Sequence, residues 1–163
     1  MDQKPKIGVV VGRFQPLHPG HVRLMQTAYD QCDQVRVVIG STQYVEPLPV
    51  EERRRRIVRA LEVAGWDKGR YEIIELPDIH NLPRWPQHLK ETCKLTNETD
   101  NLYFTADQPS ADFLRYIEMA GFTFCLHDRP SFIYRGPDGR EYEVRSATEI
   151  RELHRQLGAE DKL

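Results

Sequence analysis

Short runs of β-branched and aromatic residues alternate along the chain with longer segments whose apolar residues recur at helical spacing. The short runs predict five strands, at residues 7–11, 35–39, 71–76, 102–105 and 122–126. The longer segments predict the helices that separate them, at residues 20–31, 51–64, 87–93 and 110–120. Strands and helices that alternate in this way place the strands in parallel, so we expect an α/β protein with helices on both faces of one sheet.

A different pattern closes the sequence. The tripeptide P-D-G at residues 137–139 is a strong turn signal between two short apolar runs, and it predicts a β-hairpin. Ser146 followed by Glu149 forms a capping box, which predicts that a last helix begins there and runs to about Leu157. Residues 158–163 are predicted to fray. The predicted fold is a Rossmann-like, doubly wound parallel sheet of five strands with a small C-terminal hairpin and helix.

Composition and charge limit the function classes. The chain has 163 residues, 39% hydrophobic and 29% charged, so we expect one domain over residues 1–163 with a packed core. Lys and Arg number 23 against 25 Asp and Glu, which gives a net charge of -2. A general nucleic-acid binder usually carries a basic surplus, so that class is not favoured. A local basic patch for a small anion is compatible with this balance.

The cysteines and the apolar runs indicate the compartment. Cys32, Cys93 and Cys125 stand far apart without metal-binding spacing, which is typical of reduced thiols in a cytosolic protein. The sequence shows no signal-peptide pattern and no apolar run of about 18 residues. We therefore expect a cytoplasmic protein that does not enter the membrane.

The loop after the first predicted strand carries the most chemistry. It has the sequence G-R-F-Q-P-L-H-P-G-H over residues 12–21 and leads into a helix, whose free backbone N–H groups and dipole favour an anion. His18 and His21 flank Gly20, which lets a ligand approach the backbone, so both imidazoles could donate to one phosphate. The alternatives are plain surface polarity or a metal pair, although a metal pair needs further ligands and no acidic cluster lies nearby. The glycine spacing matches neither a dinucleotide-binding fingerprint nor a P-loop.

Two other features have ordinary alternatives. Four consecutive arginines at residues 53–56 point all round a predicted helix, and the two glutamates before them are spaced for ion pairs. We expect a solvated, partly ion-paired face from which only Arg53 reaches the site. Trp85 is a loop aromatic, for which packing under the loop and stacking on a ligand are about equally supported.

The motifs resemble those of a known enzyme family. Residues 12–21 are similar to the signature of the H-x-G-H nucleotidyltransferase superfamily, and most closely to that of the archaeal-type nicotinamide mononucleotide (NMN) adenylyltransferases. The segment S-A-T-E-I-R at residues 146–151 resembles the superfamily's I-S-x-T-x-x-R motif. L-P-D-I-H-N at residues 76–81, followed by Trp85 and His88, resembles a stretch of the NMN-specific branch. The likeness covers nearly the whole chain.

This resemblance implies a reaction and the residues that serve it. It implies transfer of an adenylyl group from ATP to NMN, giving NAD and pyrophosphate, with Mg²⁺ bound through the substrate phosphates. The implied catalytic residues are His18 and His21, at the α-phosphate, and Arg151, at the departing pyrophosphate. The implied ATP-binding residues are Gly12, Arg13, Phe14, Gly20, Asp107, Ser146 and Thr148. The implied acceptor-binding residues are Arg53, at a phosphate, and Asp78 and Trp85, at the nicotinamide ring.

Other functions stay open from the sequence. Residues 44–49 and Asp107 depart from the family pattern, so a related adenylyl- or cytidylyltransferase with another phosphate acceptor, such as phosphopantetheine, is one alternative. A non-catalytic nucleotide-binding regulatory domain is a second alternative, although it has no need for two histidines and Arg151 together. The expected partners are ATP and a phosphate-bearing small molecule, with no nucleic acid and no membrane. A homo-oligomer is compatible with the sequence.

Overall fold

The computed structural model describes residues 3–163 of the chain. Its strands are β1 (Lys6–Gly12), β2 (Gln34–Gly40), β3 (Tyr71–Leu76), β4 (Asp100–Thr105), β5 (Phe122–Leu126), β6 (Phe132–Arg135) and β7 (Glu141–Val144). Its α-helices are α1 (Pro19–Gln31), α2 (Val50–Val63), α3 (Trp85–Thr92), α4 (Ala111–Met119) and α5 (Ala147–Gln156). None of the helices within this range is long and apolar enough to span a bilayer. All the predicted elements are present, with small shifts at their ends.

The main sheet has the order β3-β2-β1-β4-β5, and every neighbouring pair is parallel. From β1 the chain winds outward through β2 to β3, and then crosses to β4 on the other side of β1. This reversal opens a crevice at the carboxyl ends of β1 and β4, where doubly wound sheets bind ligands. The predicted doubly wound fold is therefore confirmed.

Apolar layers cover both faces of the main sheet. The layer beneath α1 and α2 includes Val10, Val37, Phe104, Met25 and Ile57. The layer beneath α3 and α4 includes Val9, Val38, Tyr103, Leu89 and Ile117. Adjacent strand residues enter opposite layers because the strand is pleated. Burial on both faces explains why the strands are nearly continuous apolar runs.

The hairpin of β6 and β7 packs against α5 in a third, smaller cluster. Phe132 pairs with Val144 across the hairpin, and both pack with Ile150 of α5. The turn closes with a 3.0 Å hydrogen bond from the Gly139 N–H to the Gly136 carbonyl, and Gly139 has a φ of 81°. Glycine adopts that backbone conformation without strain. The predicted turn and hairpin are confirmed.

The carboxyl-terminal residues are packed, so the prediction that residues 158–163 fray is wrong. Ala159 is buried, and its carbonyl oxygen lies 2.9 Å from His154 Nδ1. Arg56 of α2 donates to the Leu163 carbonyl at 3.0 Å. These bonds join the segment to two helices, and a pattern of local composition does not reveal them.

The start of α5 is capped, with one difference from the prediction. Ser146 Oγ accepts the Glu149 N–H at 3.2 Å, as a capping serine should. The Glu149 carboxylate accepts the N–H of Arg145 rather than that of Ser146. The reciprocal half of the predicted capping box is therefore shifted by one residue.

Candidate functional site

A cavity of about 580 Å³, called cavity 1, lies where the carboxyl ends of β1 and β4 meet the first turns of α1 and α5. All the residues predicted to act in catalysis or to bind ATP border it; they are Gly12, Arg13, Phe14, His18, Gly20, His21, Asp107, Ser146, Thr148 and Arg151. The two helix beginnings therefore face one space. Helix dipoles make such a place suitable for an anion.

The two histidines cap α1 through their Nδ1 atoms. His18 Nδ1 accepts the N–H groups of Gly20, at 3.1 Å, and of His21, at 3.3 Å. His21 Nδ1 accepts the N–H of His18 at 3.2 Å. A ring nitrogen that accepts carries no hydrogen, so each neutral imidazole holds its proton on Nε2. The cap thus leaves two Nε2–H groups to donate to a ligand.

Burial keeps both imidazoles neutral. Their rings stack with 3.6 Å between centroids. Desolvation, with the nearby charge of Arg129, lowers the pKa of His18 to about 4 from the usual 6.5. Desolvation, with the charges of His18 and Arg129, lowers the pKa of His21 to about 3. At neutral pH the pair therefore offers directed hydrogen-bond donors rather than positive charges.

Phe14 supports the histidines from the core side. It is only 1% exposed, and its ring meets that of His21 edge-on with 4.9 Å between centroids. A Cβ at Gly12 would lie 2.7 Å from the Phe14 ring, so this packing requires glycine at position 12. The Phe14 ring has almost no surface to offer a ligand and supports His21 instead; Phe14 nevertheless borders cavity 1, and its predicted binding of ATP stays a prediction.

Arg151 ties α5 to the loop after β1. Its guanidinium donates to the Gln15 carbonyl at 2.7 Å and to Thr148 Oγ1 at 3.1 Å. Burial, and the charge of Arg13, lower the pKa of Arg151. Five arginines border cavity 1, which favours a ligand carrying several negative charges; they are Arg13, Arg23, Arg129, Arg145 and Arg151.

Arg129, in the loop after β5, is a site residue that the sequence analysis missed. It borders cavity 1 and forms an ion pair with Asp107, which was predicted to bind ATP. No motif marks this arginine. The available signal was its position, because loops that follow parallel strands converge at one edge of the sheet.

A second cavity of about 520 Å³, called cavity 2, adjoins the first. Its wall includes Asp78 and Trp85, and it shares Val11, Gly12 and Arg13 with cavity 1. Arg13 therefore stands at the boundary between two ligand-sized spaces.

Trp85 packs against neighbouring aromatic rings, as one of its two interpretations predicts, and its stacking on a ligand stays a prediction. It is half-buried at the start of α3, where its ring lies 6.4 Å from that of Tyr103 and 5.8 Å from that of Phe113, centroid to centroid. It also borders cavity 2. Asp78, on the same wall, is anchored through its backbone, because its N–H and carbonyl bond the Gln43 side chain at 2.9 Å each. The packing of these residues holds an aromatic and an acidic group at one opening.

Arg53 does not reach either cavity, so its predicted contact with a phosphate is wrong. The side chain has 0% exposure. One guanidinium nitrogen donates to the carbonyls of Arg13 and Gly40, and the other donates to those of Ser41 and Tyr44. Arg53 instead joins the loops that follow β1 and β2. Its bond to the Arg13 carbonyl helps to position Arg13.

Comparisons with known proteins agree with this architecture. The model of the family described as cytidylyltransferase-like matches residues 9–153. Over 90 residues, 53% of the chain, the sequence is 40% identical to nicotinamide-nucleotide adenylyltransferase of Thermococcus onnurineus, of which that region covers 48%. Over 87 residues it is 41% identical to the Pyrococcus horikoshii enzyme of the same name, covering 51% of this chain and 46% of the enzyme. The chain spans about half the length of the curated relatives it matches.

Solved structures share the fold. A bifunctional NMN adenylyltransferase/ADP ribose pyrophosphatase from Francisella tularensis aligns over 91% of this chain and 41% of its own, with a TM-score of 0.72 and 24% identity. The structure of the Francisella tularensis protein complexed with AMP and a manganese ion aligns over the same shares, with a TM-score of 0.65 and 24% identity.

Proposed function

Since the chain belongs to the cytidylyltransferase-like family, we propose that it transfers the adenylyl group of ATP to NMN, forming NAD and releasing pyrophosphate. The observation that carries this proposal is the meeting of cavities 1 and 2 at Val11, Gly12 and Arg13. A transfer between two substrates needs such a boundary, because the reacting phosphates must be held in line and in contact.

ATP occupies cavity 1 in this proposal. The Nε2–H groups of His18 and His21 donate to the α-phosphate. Arg151, Ser146 and Thr148, with the first N–H groups of α5, bind the β- and γ-phosphates. Neutral donors held by a helix cap need no reorganisation as charge develops, which is how preorganised sites lower a barrier.

NMN occupies cavity 2. Trp85 stacks on the nicotinamide ring, and the Asp78 carboxylate accepts a hydrogen bond from its amide. Arg13, at the boundary, balances charge on the phosphates of both substrates. The mixture of aromatic walls and one carboxylate suits a planar ring with an N–H donor.

The chemical step needs no strong base, because the nucleophile is already an anionic phosphate. An oxygen of the NMN phosphate attacks the α-phosphorus of ATP and forms the new P–O bond. The bond from the α-phosphorus to the bridging oxygen breaks, and its electron pair leaves with pyrophosphate. Arg151 neutralises the charge that collects on that leaving group.

We propose Mg²⁺ as the metal, bound through the substrate phosphates, where it would neutralise charge on the triphosphate. Within residues 3–163 no group of three or more His, Cys, Asp or Glu side chains is arranged to hold a metal. Asp107, in cavity 1, is paired with Arg129. Cavity 1 thus offers N–H donors that bind phosphate oxygens rather than ligands that bind a metal. This fits an ion that the nucleotide brings with it, bound to its own phosphates.

Pyrophosphate release by the purified chain tests the proposal. ATP or CTP is supplied with NMN, phosphopantetheine or glycerol phosphate, one pair at a time. We expect release with ATP and NMN, with NAD as the second product. Preference for another pair would reassign the acceptor or the nucleotide. Nucleotide binding with no release from any pair would overturn the enzymatic proposal in favour of a regulatory domain.

A further inference from the structure

Tyr103 is a buried tyrosine in an aromatic surrounding. It lies on β4 with 7% of its surface exposed. Its ring stacks with that of Phe124, centroids 5.8 Å apart, and lies edge-on to that of Phe122 at 6.3 Å. Phe113 and Trp85 complete the enclosure, at 5.8 Å and 6.4 Å. A phenylalanine would make the same apolar contacts, so packing does not account for the hydroxyl.

The Tyr103 hydroxyl has no hydrogen-bond partner in residues 3–163. Among residues 3–163, the fully buried side-chain N and O atoms without a hydrogen-bond partner are Arg36 Nε and Arg53 Nε. The Tyr103 hydroxyl is not one of them, so part of its surface is accessible. Cavity 2 is the space that Tyr103 borders. The hydroxyl is therefore an unused donor at the wall of the proposed acceptor site. A ligand that fills cavity 2 excludes water from this hydroxyl. Leaving the hydroxyl unpaired in apolar surroundings would then be costly, which points to a ligand that completes the bond.

We propose that the Tyr103 hydroxyl determines acceptor specificity by donating a hydrogen bond to an uncharged carbonyl group on the planar ring of the acceptor. This inference rests on the proposed function and adds a residue to it. Burial raises the pKa of Tyr103, so the hydroxyl stays protonated and able to donate. Asp78 borders the same cavity, and its negative charge disfavours a ring carboxylate. Tyr103 and Asp78 together select a carboxamide, one through its oxygen and the other through its N–H.

The variant Tyr103→Phe isolates this bond, because it removes one atom and keeps the aromatic packing. With ATP and NMN we expect KM for NMN to rise about tenfold, the usual scale for one lost neutral hydrogen bond, while KM for ATP is unchanged. With the mononucleotide of pyridine itself, which has no carboxamide, wild type and variant should behave alike. Thermal unfolding of the variant without ligand should occur no earlier than that of wild type.

Tyr71→Phe is the matched control, because Tyr71 packs on the opposite face of the sheet. It should leave both KM values unchanged. An unchanged KM for NMN in Tyr103→Phe, or an equal loss with both acceptors, would overturn the inference. If wild type releases no pyrophosphate with NMN, the proposed function is overturned. The inference about Tyr103 is then decided by calorimetric titration of NMN into wild type and into Tyr103→Phe. Tighter binding to wild type than to Tyr103→Phe supports it, and equal binding overturns it.

Discussion

The phenyl ring of Phe132 stacks on the imidazole of His18, with 4.8 Å between ring centroids and 21° between the planes. Phe132 belongs to the hairpin rather than to the main sheet, and it is buried in the hairpin cluster. The rings of His21, His18 and Phe132 thus form one stack at the start of α1. The hairpin thereby excludes water from a histidine more than a hundred residues earlier in the chain.

Replacing Phe132 with Ala is expected to raise the pKa of His18 from about 4 toward 6.5, because water then reaches the ring. A protonated Nδ1 no longer accepts the Gly20 N–H, so turnover of the variant should fall more steeply below about pH 6 than that of wild type, in which the substrate phosphates titrate but His18 does not. NMR titration of the imidazole and pH–rate profiles measure the two effects. Ile133→Ala is the control, since Ile133 is 62% exposed on the next position of the strand. Identical His18 titration in wild type and Phe132→Ala would contradict the role of the stack.

Substitutions of His18 can separate its role as a hydrogen-bond donor to the ligand from its role as the cap of α1. Asparagine caps helices well but lacks the Nε2–H, whereas alanine lacks both functions. We expect both His18→Asn and His18→Ala to lower turnover by about 10²–10³. Only the alanine variant should also lose about 1 kcal/mol of unfolding free energy, measured with urea. Full activity of His18→Asn would show that this imidazole does not contact the reacting phosphate.

Stability should fall as the pH drops from about 6.5 toward the depressed histidine pKa values. The folded protein holds the pKa of His18 at about 4 and that of His21 at about 3, against 6.5 for an ordinary histidine. Across this window His18 and His21 become protonated in the unfolded chain but stay neutral in the folded protein, so the free energy of unfolding decreases. Urea unfolding at pH 7 and 4.5 measures the loss. The double variant His18→Asn/His21→Asn retains all other titrating groups and should lose less; an equal loss would contradict the prediction.

Arg53 is expected to matter for stability rather than for direct substrate contact. Arg53→Met leaves up to four buried or partly buried carbonyl groups without their donor, at an expected cost of about 2–3 kcal/mol of unfolding free energy. Arg55→Met on the same helix is the control, because Arg55 is exposed and pairs with Glu52; its effect on the free energy of unfolding should be much smaller. Chemical denaturation compares the two. Equal stability of both variants would argue against the loop-joining role.

Arg129 is expected to contribute to binding of the triphosphate. Arg129→Gln should raise KM for ATP about tenfold, because a charged hydrogen bond to a phosphate is lost, with little change in KM for the acceptor. The control is Arg135→Gln, whose arginine pairs with Glu141 on the exposed hairpin. An unchanged KM for ATP in Arg129→Gln would confine this arginine to its ion pair with Asp107.

Local patterns predicted the helices and strands well because each element depends mainly on the residue types within it and at its two ends. β3 and β5 have the predicted bounds, since β-branched and aromatic residues cluster there between breakers. The start of α3 was predicted two residues late, because Trp85 and Pro86 were assigned to the proline-rich loop although proline is tolerated in a first turn. The capping serine of α5 was identified because it needs only the next three residues.

The sequence by itself determined the order of strands and helices, and with it the doubly wound sheet. The tertiary structure decided which side chains reach a ligand. It buried Arg53 and brought Arg129 to cavity 1, and within residues 3–163 it gave the Tyr103 hydroxyl no partner. The physical reason is that exposure, ion pairing and desolvation depend on contacts between segments distant in the chain, whereas periodicity and capping depend on neighbours within a few residues.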